Sequence, residues 1–216
     1  MATLHRPAIH RFHDPVLPEP RRSSGPVGDR LVFAFWAGAG MEVPGTGRRY
    51  AGNRDDAVMT MTIREAGPDD IEAIISVGQR TWPATYGFAG PEYIATGLQT
   101  WWSTEAIRRS LENTTVLVAE QDGAVTGTGN IDLRGETPII WKLYVVPEAQ
   151  GTGVGSALIS ELLSYAGGRP VRLEFTAGNT PAAAFYAARG FVEIRREAGE
   201  RPGWPETVWV ERRFAE

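Results

Sequence analysis

The sequence predicts an α/β fold: one mixed, mostly antiparallel sheet of six to seven strands, flanked on both faces by about four helices. Three observations support this. Short apolar strand patterns and amphipathic helix patterns succeed one another from residue 59 onward, in the order β-α-α-β-β-β-α-β-α-β-β. An Asp122-Gly123 pair joins two strand patterns, which is typical of a hairpin turn. With 42% hydrophobic residues, the chain has enough apolar side chains for a core.

In the first half, "MTIREA" reads as a short strand that begins at about Thr60. Asp69 or Asp70 can cap the helix that follows, whose apolar stripe consists of Ile71, Ile74, Ile75 and Trp82. A second helical region covers about residues 91–112. A fresh capping signal, "STEAI" after Trp102, interrupts it, so we expect two helices there.

In the second half, "TTVLVAE" and "GAVTGTGNIDL" are the strands of the predicted hairpin, and "PIIWKLYVV" is a long apolar strand. A helix follows with Val154, Leu158, Leu162 and Tyr165 on one face. "VRLEFTA" is a further strand, and "NTPAAAFYAARG" is a short helix that ends at Gly190. "FVEIRRE" and "TVWVERRF" close the fold as two strands.

Composition divides the chain near Met59. Residues 1–58 contain six of the 15 prolines and no sustained helix or strand period, which predicts a disordered N-terminal extension or a misassigned start. Residues 59–216 form the predicted domain. The domain carries 14 basic against 20 acidic residues, a net charge of −6, which argues against a nucleic-acid partner.

Several chemistries are excluded by residue counts. The chain has no cysteine, and its three histidines, His5, His10 and His13, lie in the predicted extension, so we expect no metal site. No apolar run reaches the roughly 18 residues of a membrane span, so we expect no membrane association and a cytoplasmic protein. The composition leaves a homodimer open.

Three glycines stand on alternate positions where the long strand gives way to a helix: Gly151, Gly153 and Gly155. N–H groups at a helix start are unpaired and lie at the positive end of the helix dipole, and glycines let a ligand approach them closely. A pyrophosphate is the natural ligand of such a site. The G-x-G-x-G spacing fits neither the G-x-G-x-x-G fingerprint nor the lysine-containing P-loop.

The segment Gln150-x-x-Gly153-x-Gly155 resembles the acetyl-CoA motif of the GNAT superfamily of N-acetyltransferases, written Q/R-x-x-G-x-G/A. A second block, "LEFTAGNTPAAAFYAARGF", resembles that family's strand followed by N-x-x-A-x-x-x-Y-x-x-x-G-F. The resemblance covers Met61 to about Phe214 and implies a GNAT-like fold, acetyl-CoA as the acetyl donor, and no metal.

The resemblance also implies the cofactor-binding residues. The backbone of Leu143, Tyr144 and Val145 would pair with the pantetheine arm, and the Val145 N–H would polarise the thioester carbonyl. The loop and helix start would hold the pyrophosphate, and Asn179 would contact the cofactor arm besides capping its own helix. The loop residues are Gln150, Gly151, Thr152, Gly153, Val154, Gly155 and Ser156.

Two residues carry the implied proton transfers. Tyr186 occupies the family position of the acid that protonates the departing thiolate. Glu174, 12 residues earlier, resembles in placement the glutamate of ribosomal-protein alanine acetyltransferases and is our candidate base. Other family members use a glutamate on the long strand, where this chain has Trp141 or Lys142, so Glu136, Asp132 or an ordered water chain remain alternative bases.

The region Arg80–Asn113 is similar in layout to bacterial spermidine/spermine-type acetyltransferases. This similarity implies a small amine such as a polyamine as the acceptor, with Trp82, Tyr86, Glu92 and Glu105 as candidate binding residues because carboxylates and aromatic faces attract cations. Two alternatives stay open: acetylation of a protein or peptide N-terminus, and a non-catalytic acyl-CoA-binding regulatory module.

Overall fold

The computed structural model of the chain describes residues 48–54 and 57–214. Eight strands form one sheet in the order β1-β2-β3-β4-β5-β6-β8-β7. The strands are β1 (Arg48–Arg54), β2 (Ala57–Glu65), β3 (Thr115–Gln121), β4 (Ala124–Asp132), β5 (Ile139–Val145), β6 (Val171–Thr176), β7 (Val192–Glu197) and β8 (Thr207–Arg212).

Five α-helices are present in the described residues: α1 (Ile71–Tyr86), α2 (Pro91–Trp101), α3 (Thr104–Asn113), α4 (Val154–Ser164) and α5 (Thr180–Ala187). Local sequence signals explain several boundaries. The Ser103 hydroxyl caps α3 by accepting from the Ala106 N–H (3.2 Å), and the Asn179 side chain caps α5 by accepting from the Ala182 N–H (3.2 Å). Both caps confirm the sequence prediction. None of the described helices has the length and apolarity that a membrane crossing needs.

The start of α1 differs from the prediction that Asp69 or Asp70 caps it. Asp70 occupies the N-cap position of α1, but its carboxylate does not cap the helix. It instead accepts from the Gly67 N–H (2.8 Å) and from both Arg64 Nη atoms (2.8 Å each). The arginine satisfies this carboxylate more strongly than a backbone N–H could, because both partners are charged.

The predicted fold class is confirmed: the sheet is mixed and mostly antiparallel, with helices on both faces. Positive φ angles at Asp122 (51°) and Gly123 (77°) give the predicted hairpin turn between β3 and β4. The eighth strand, β1, pairs with β2 and lies ahead of the predicted domain start at Met59. Strand β2 also begins before Met59, at Ala57, and the rest of the predicted extension, residues 1–47 and 55–56, lies outside the described residues.

The sheet separates two apolar clusters. On the face covered by α4 and α5, here called the α4 face, the core contains Leu117, Ile131, Leu158, Leu162 and Leu173, all at most 1% exposed. On the face covered by α1, α2 and α3, here called the α1 face, the core consists of Ile74, Trp82, Tyr86, Trp102, Ile107, Val116 and Val118. Strand alternation places successive residues on opposite faces, so the face of each site residue can be read from its neighbours.

The sheet opens between β5 and β6, its only parallel pair among the described strands. The register of these strands ends at Ile140 opposite Leu173, whereas β5 stays paired with β4 as far as Val145. Trp141 has no partner on β4, and this irregularity lies where the separation begins. The gap gives access to strand backbone that has no neighbour on the β6 side.

Candidate active site

The loop between β5 and α4 presents backbone N–H groups to open space. Gly151 (φ 76°) and Gly153 (φ 98°) adopt the left-handed backbone conformation that glycine enters without strain. Gly153 is the N-cap of α4, and no described side chain caps this helix start. A Cβ on either glycine would meet no described atom within 4 Å. The first N–H groups of α4 are therefore accessible to an anion.

Other side chains of this loop hold its shape. The Gln150 Nε2 donates to the Val145 carbonyl (3.0 Å), and the Thr152 Oγ1 donates to the Ala149 carbonyl (2.7 Å). Gly155 packs close to the Phe185 ring, 3.5 Å from where a Cβ would lie. Gln150 and Thr152 therefore stabilise the loop through their side chains and leave its glycine positions open.

Arg189, which the sequence reasoning missed, lies beside this helix start. Its guanidinium stacks on the Phe185 ring (3.5 Å to the centroid), and its Nη1 donates to the Phe185 carbonyl (2.8 Å). Its Nη2 donates to the Ser156 Oγ (2.5 Å), in the first turn of α4. No described carboxylate forms an ion pair with Arg189, in contrast to Arg172 and Arg201. Burial lowers the pKa of Arg189, an effect that a bound anion would offset.

The free edge of β5 continues from the same loop. The Val146 N–H donates to the Thr126 carbonyl of the β4 side (2.9 Å). Because antiparallel ladders alternate, the backbone of Tyr144 also faces β4, and the backbone groups of Leu143 and Val145 face the gap. The side chain of Tyr144, rather than its backbone, approaches the gap. The pantetheine contacts expected for these three residues stay a prediction.

Tyr186 lies on α5 at the α4 face, where its ring contacts Phe175, Phe185 and Phe191 with centroids 5.4 to 6.0 Å apart. Burial raises the pKa of its hydroxyl well above the usual value, and the Tyr86 hydroxyl raises it further. Tyr86 belongs to the core of the opposite face.

Glu174 lies on β6 and is exposed. Its neighbour Leu173 belongs to the α4-face core, so Glu174 points to the α1 face. The charge of Glu174 contributes to the raised pKa values of Tyr86 and Tyr93, after the larger effect of burial on each. The carboxylate therefore lies near both phenols, on the side of the gap opposite the ring of Tyr186.

Tyrosine hydroxyls line the α1 side of the gap. The Tyr86 and Tyr144 hydroxyls are 3.1 Å apart, and the Tyr93 hydroxyl lies 2.9 Å from the Thr176 Oγ1. Burial raises the pKa of Tyr144 far above its usual value and that of Tyr86 to about 12. All of these phenols are neutral hydrogen-bonding groups at physiological pH.

The loop between β7 and β8 covers the tyrosines on the α1 side of the gap. The Trp204 ring packs edge-on against Tyr93 (5.1 Å between centroids), and Arg201 lies 4.7 Å above the Trp204 ring. Arg201 also pairs with Glu92 at the start of α2 (2.5 Å). Glu92 is therefore at the rim, engaged with the loop. Exposed pairs of this kind contribute little stability, so this contact bears mainly on the loop's position.

Two predicted acceptor residues are not brought to the gap as expected. Trp82 is 5% exposed and packs so tightly on Gly97 that a Cβ there would lie 1.7 Å from its ring. It therefore supports Tyr86 (4.6 Å between ring centroids) from within the core. Glu105 pairs with Arg108 and Arg109 on the exposed side of its own helix. Glu105 lies in the first turn of α3, where a negative charge interacts favourably with the helix dipole.

The alternative bases differ in their surroundings. Asp132 is held by Arg134 (2.7 Å), and although burial opposes the effect, the hydrogen bonds and charge of this arginine keep the pKa of Asp132 below its usual value. A carboxylate stabilised in this way is a weak proton acceptor. Glu136 lies exposed in the β4–β5 connection. Lys142 lies 5.9 Å from the Trp102 ring centroid, and burial lowers its pKa to about 8.

Comparison with known proteins is consistent with this geometry. Residues 112–193, from the end of α3 to the start of β7, match the family model described as "Acetyltransferase (GNAT) domain". This segment of the chain therefore resembles a GNAT acetyltransferase domain. The family match includes the glycine loop, the free edge of β5, and the residues Glu174 and Tyr186.

Individual relatives extend the similarity. A mycothiol acetyltransferase of Nocardia farcinica is 38% identical over 38% of this chain and 26% of its own length. A spermidine N(1)-acetyltransferase of Thermoplasma acidophilum is 27% identical over 62% of this chain and 89% of its own length. The chain spans between 26% and 51% of the length of the first curated relatives it matches.

Among solved structures, the PaiA N-acetyltransferase of Thermoplasma acidophilum in complex with coenzyme A resembles the model with a TM-score of 0.63. The alignment covers 71% of this chain and 99% of that protein at 22% identity. At this identity the likeness concerns the fold alone.

Proposed function

We propose that this protein is an acetyl-CoA-dependent N-acetyltransferase that acts on a primary amine. The observation that carries the proposal is the continuity of the site. An anion-accessible helix start, a free strand edge and the gap between β5 and β6 follow one another along α4 and β5, and Glu174 is the first β6 residue beyond the paired register. Acetyl-CoA has matching parts in the same order: a pyrophosphate, a pantetheine arm and a thioester.

The residues present fit this donor. The glycine positions leave the space in front of Gly151 and Gly153 open, and Arg189 adds a cation beside the same helix start. The backbone of Leu143 and Val145 can pair with an extended amide-containing arm, as a neighbouring strand would. When bound, acetyl-CoA supplies the acetyl group as an activated thioester. We assign the Val145 N–H as the donor to the thioester carbonyl.

Glu174 and Tyr186 divide the proton transfers between them. An alkyl amine is protonated near neutral pH and must lose a proton before it can attack a carbonyl. Glu174, on the α1 face, accepts this proton in our proposal. Tyr186 keeps its own proton because burial raises its pKa, so it can donate to the departing sulfur and cannot compete as the base.

For the acceptor we propose a small amine of the polyamine type, in the cytoplasm. The spermidine acetyltransferase relative, which this chain matches over 89% of that protein's length, supports this class. The carboxylate and phenols around the gap on the α1 face are chemically suited to a cation.

A thiol-release assay tests the proposal. Acetyl-CoA would be combined with spermidine, with free amino acids and with short peptides, using the wild-type chain and the variant Glu174→Gln. We expect thiol release with spermidine, and a slower rate for the variant at the same acetyl-CoA affinity. Acetyl-CoA binding without release for any amine would instead support the regulatory binding module.

Acetylation of a protein or peptide N-terminus is the second candidate. The placement of Glu174 on β6, with Tyr186 on the following helix, favours it, because this arrangement resembles that of ribosomal-protein alanine acetyltransferases. Preferential turnover of a peptide in the same assay would establish this alternative.

A further inference from the structure

A row of side chains crosses the sheet on the α1 face, next to Glu174. Trp209 of β8 pairs in register with Glu174, and Arg195 of β7 pairs with Trp209. Directly opposite residues in antiparallel strands share a face, so these side chains lie on the same side of the sheet. Trp141 of β5 joins the row, because its ring meets the Trp209 ring edge-to-face (5.9 Å between centroids, 82° between planes).

Trp141 lies at the apex of the gap. It follows Ile140, the last β5 residue paired with β6, and Glu174 follows Leu173, the partner of Ile140. Trp141 and Glu174 are thus the first residues beyond the separation on their respective strands. The indole of Trp141 reaches across to Trp209, which places aromatic surface beside the position of Glu174.

Trp141 is held in place yet remains accessible. The Trp209 ring packs edge-to-face against its indole. Trp209 is 7% exposed and is covered on another side by the Arg195 guanidinium, 4.5 Å from its ring centroid. Trp141, in contrast, is 36% exposed. Trp141 therefore has one ring edge packed against Trp209 and the rest of the indole accessible at the gap.

The opposite side of Glu174 is also aromatic. Tyr93 lies close enough for the Glu174 charge to affect it, and its hydroxyl is fixed by Thr176. Trp204 stands edge-on to Tyr93 and extends this surface outward. The carboxylate of Glu174 is therefore bordered by indole on one side and phenol on the other.

We infer that Trp141 is a specificity-determining residue of the acceptor site, where it forms, with Glu174 and Tyr93, a subsite for an alkylammonium group. This inference rests on the proposed function and deepens it. A carboxylate flanked by aromatic rings suits an ammonium on a methylene chain, because the charge binds the carboxylate and the chain lies on the rings. An amine adjacent to a carboxylate, as in a free amino acid, would place like charges together.

The experiment compares Trp141→Leu and Trp141→Phe with wild type, using spermidine as the acceptor. Trp141→Leu keeps an apolar side chain but removes the aromatic face, so we expect KM for spermidine to rise about 2- to 30-fold, the range of a cation–π contact. Trp141→Phe should recover most of this loss. The dissociation constant of acetyl-CoA should stay within about twofold in both variants.

The control is Ile194→Ala, which changes a 42% exposed apolar residue of the edge strand β7 without touching the row. It should leave both constants unchanged. Equal KM values for Trp141→Leu and wild type would overturn the inference, as would a free amino acid turned over in preference to spermidine. Neither result would contradict the proposed acetyl transfer. Absence of thiol release from wild type with every amine would overturn the proposed function as well.

Discussion

At the scale of single residues, the protonation state of the phenol on α5 decides its chemistry. Burial against Phe175, Phe185 and Phe191 raises the pKa of Tyr186 well above its usual value, so the hydroxyl remains protonated throughout the physiological range. A hydroxyl of this kind donates a hydrogen bond and keeps its proton at neutral pH. It can therefore stabilise the negative charge that develops on the departing sulfur, which fits the role that we assign to Tyr186.

Replacing Tyr186 by Phe should lower kcat about 100-fold or more, the usual contribution of a positioned acid. Acetyl-CoA affinity should be kept, because the ring and its contacts remain. Steady-state kinetics and calorimetry would separate the two effects. Tyr165→Phe is the matched control, since it removes a hydroxyl that binds Glu65 outside the site. Equal kcat values for wild type and Tyr186→Phe would exclude the acid role.

Arg189→Gln should raise the dissociation constant of acetyl-CoA about tenfold or more, because hydrogen bonds from a charged group to an anion are strong. Arg169→Gln is the matched control: Arg169 follows the other end of α4, donates to the Ala166 carbonyl (3.0 Å) and has no ion pair with a described residue. Isothermal titration calorimetry measures both variants. A similar loss in the two variants, or none in Arg189→Gln, would count against a phosphate contact.

At the scale of elements, the strand–loop–helix unit from β5 to α4 was the most predictable part of the site. Its signals are local: the glycines, the apolar strand before them and the helical stripe after them lie within one short segment. The cap at Asn179 was predictable for the same reason. Contacts between distant segments were not. Trp141 meets Trp209 and Arg189 meets Ser156 only after the strands pair, and no local pattern encodes strand pairing.

Gly153→Val should abolish acetyl-CoA binding. The residue has φ 98°, which a β-branched side chain strongly disfavours, and its Cβ would project into the space that we assign to the pyrophosphate. Gly168→Val is the control, because Gly168 has a similar backbone conformation (φ 82°) beyond the other end of α4. Both variants should lose stability, and only Gly153→Val should lose acetyl-CoA binding in calorimetry. Retained binding in Gly153→Val would refute the assignment of this loop.

At the scale of the whole molecule, one sheet with a core on each face carries the site at its opening. The fold class followed from the sequence because the order of elements and their periodicity were clear. Strand β1 was not predicted, since the segment around Arg48–Arg54 lacks an apolar alternation. The predicted homodimer option and the predicted character of the N-terminal extension outside β1 stay predictions.

Lys142, which is half-buried on β5, should make stability depend on pH. Its pKa in the folded protein is lowered to about 8 by burial, below the usual value, so the unfolded chain binds the proton more readily. Above the unfolded pKa of about 10.4, Lys142 is neutral in both states and does not lower the free energy of unfolding. As the pH falls from there towards 8, the unfolded chain is protonated first, and the free energy of unfolding decreases. Lys142→Met should unfold at a higher temperature than wild type at pH 7, and the difference should shrink from pH 8 upward. Thermal unfolding across this range measures it, and a constant difference would contradict the burial of the ammonium.

The most direct test of the account is a crystal structure of the protein with acetyl-CoA bound. We predict that the pyrophosphate lies against the N–H groups of residues 151–156 and that one of its oxygens accepts a hydrogen bond from Arg189. The thioester should lie in the gap between β5 and β6, with Tyr186 on one side and Glu174 on the other. A cofactor bound elsewhere, or an acetyl group directed away from the gap, would contradict the proposed function.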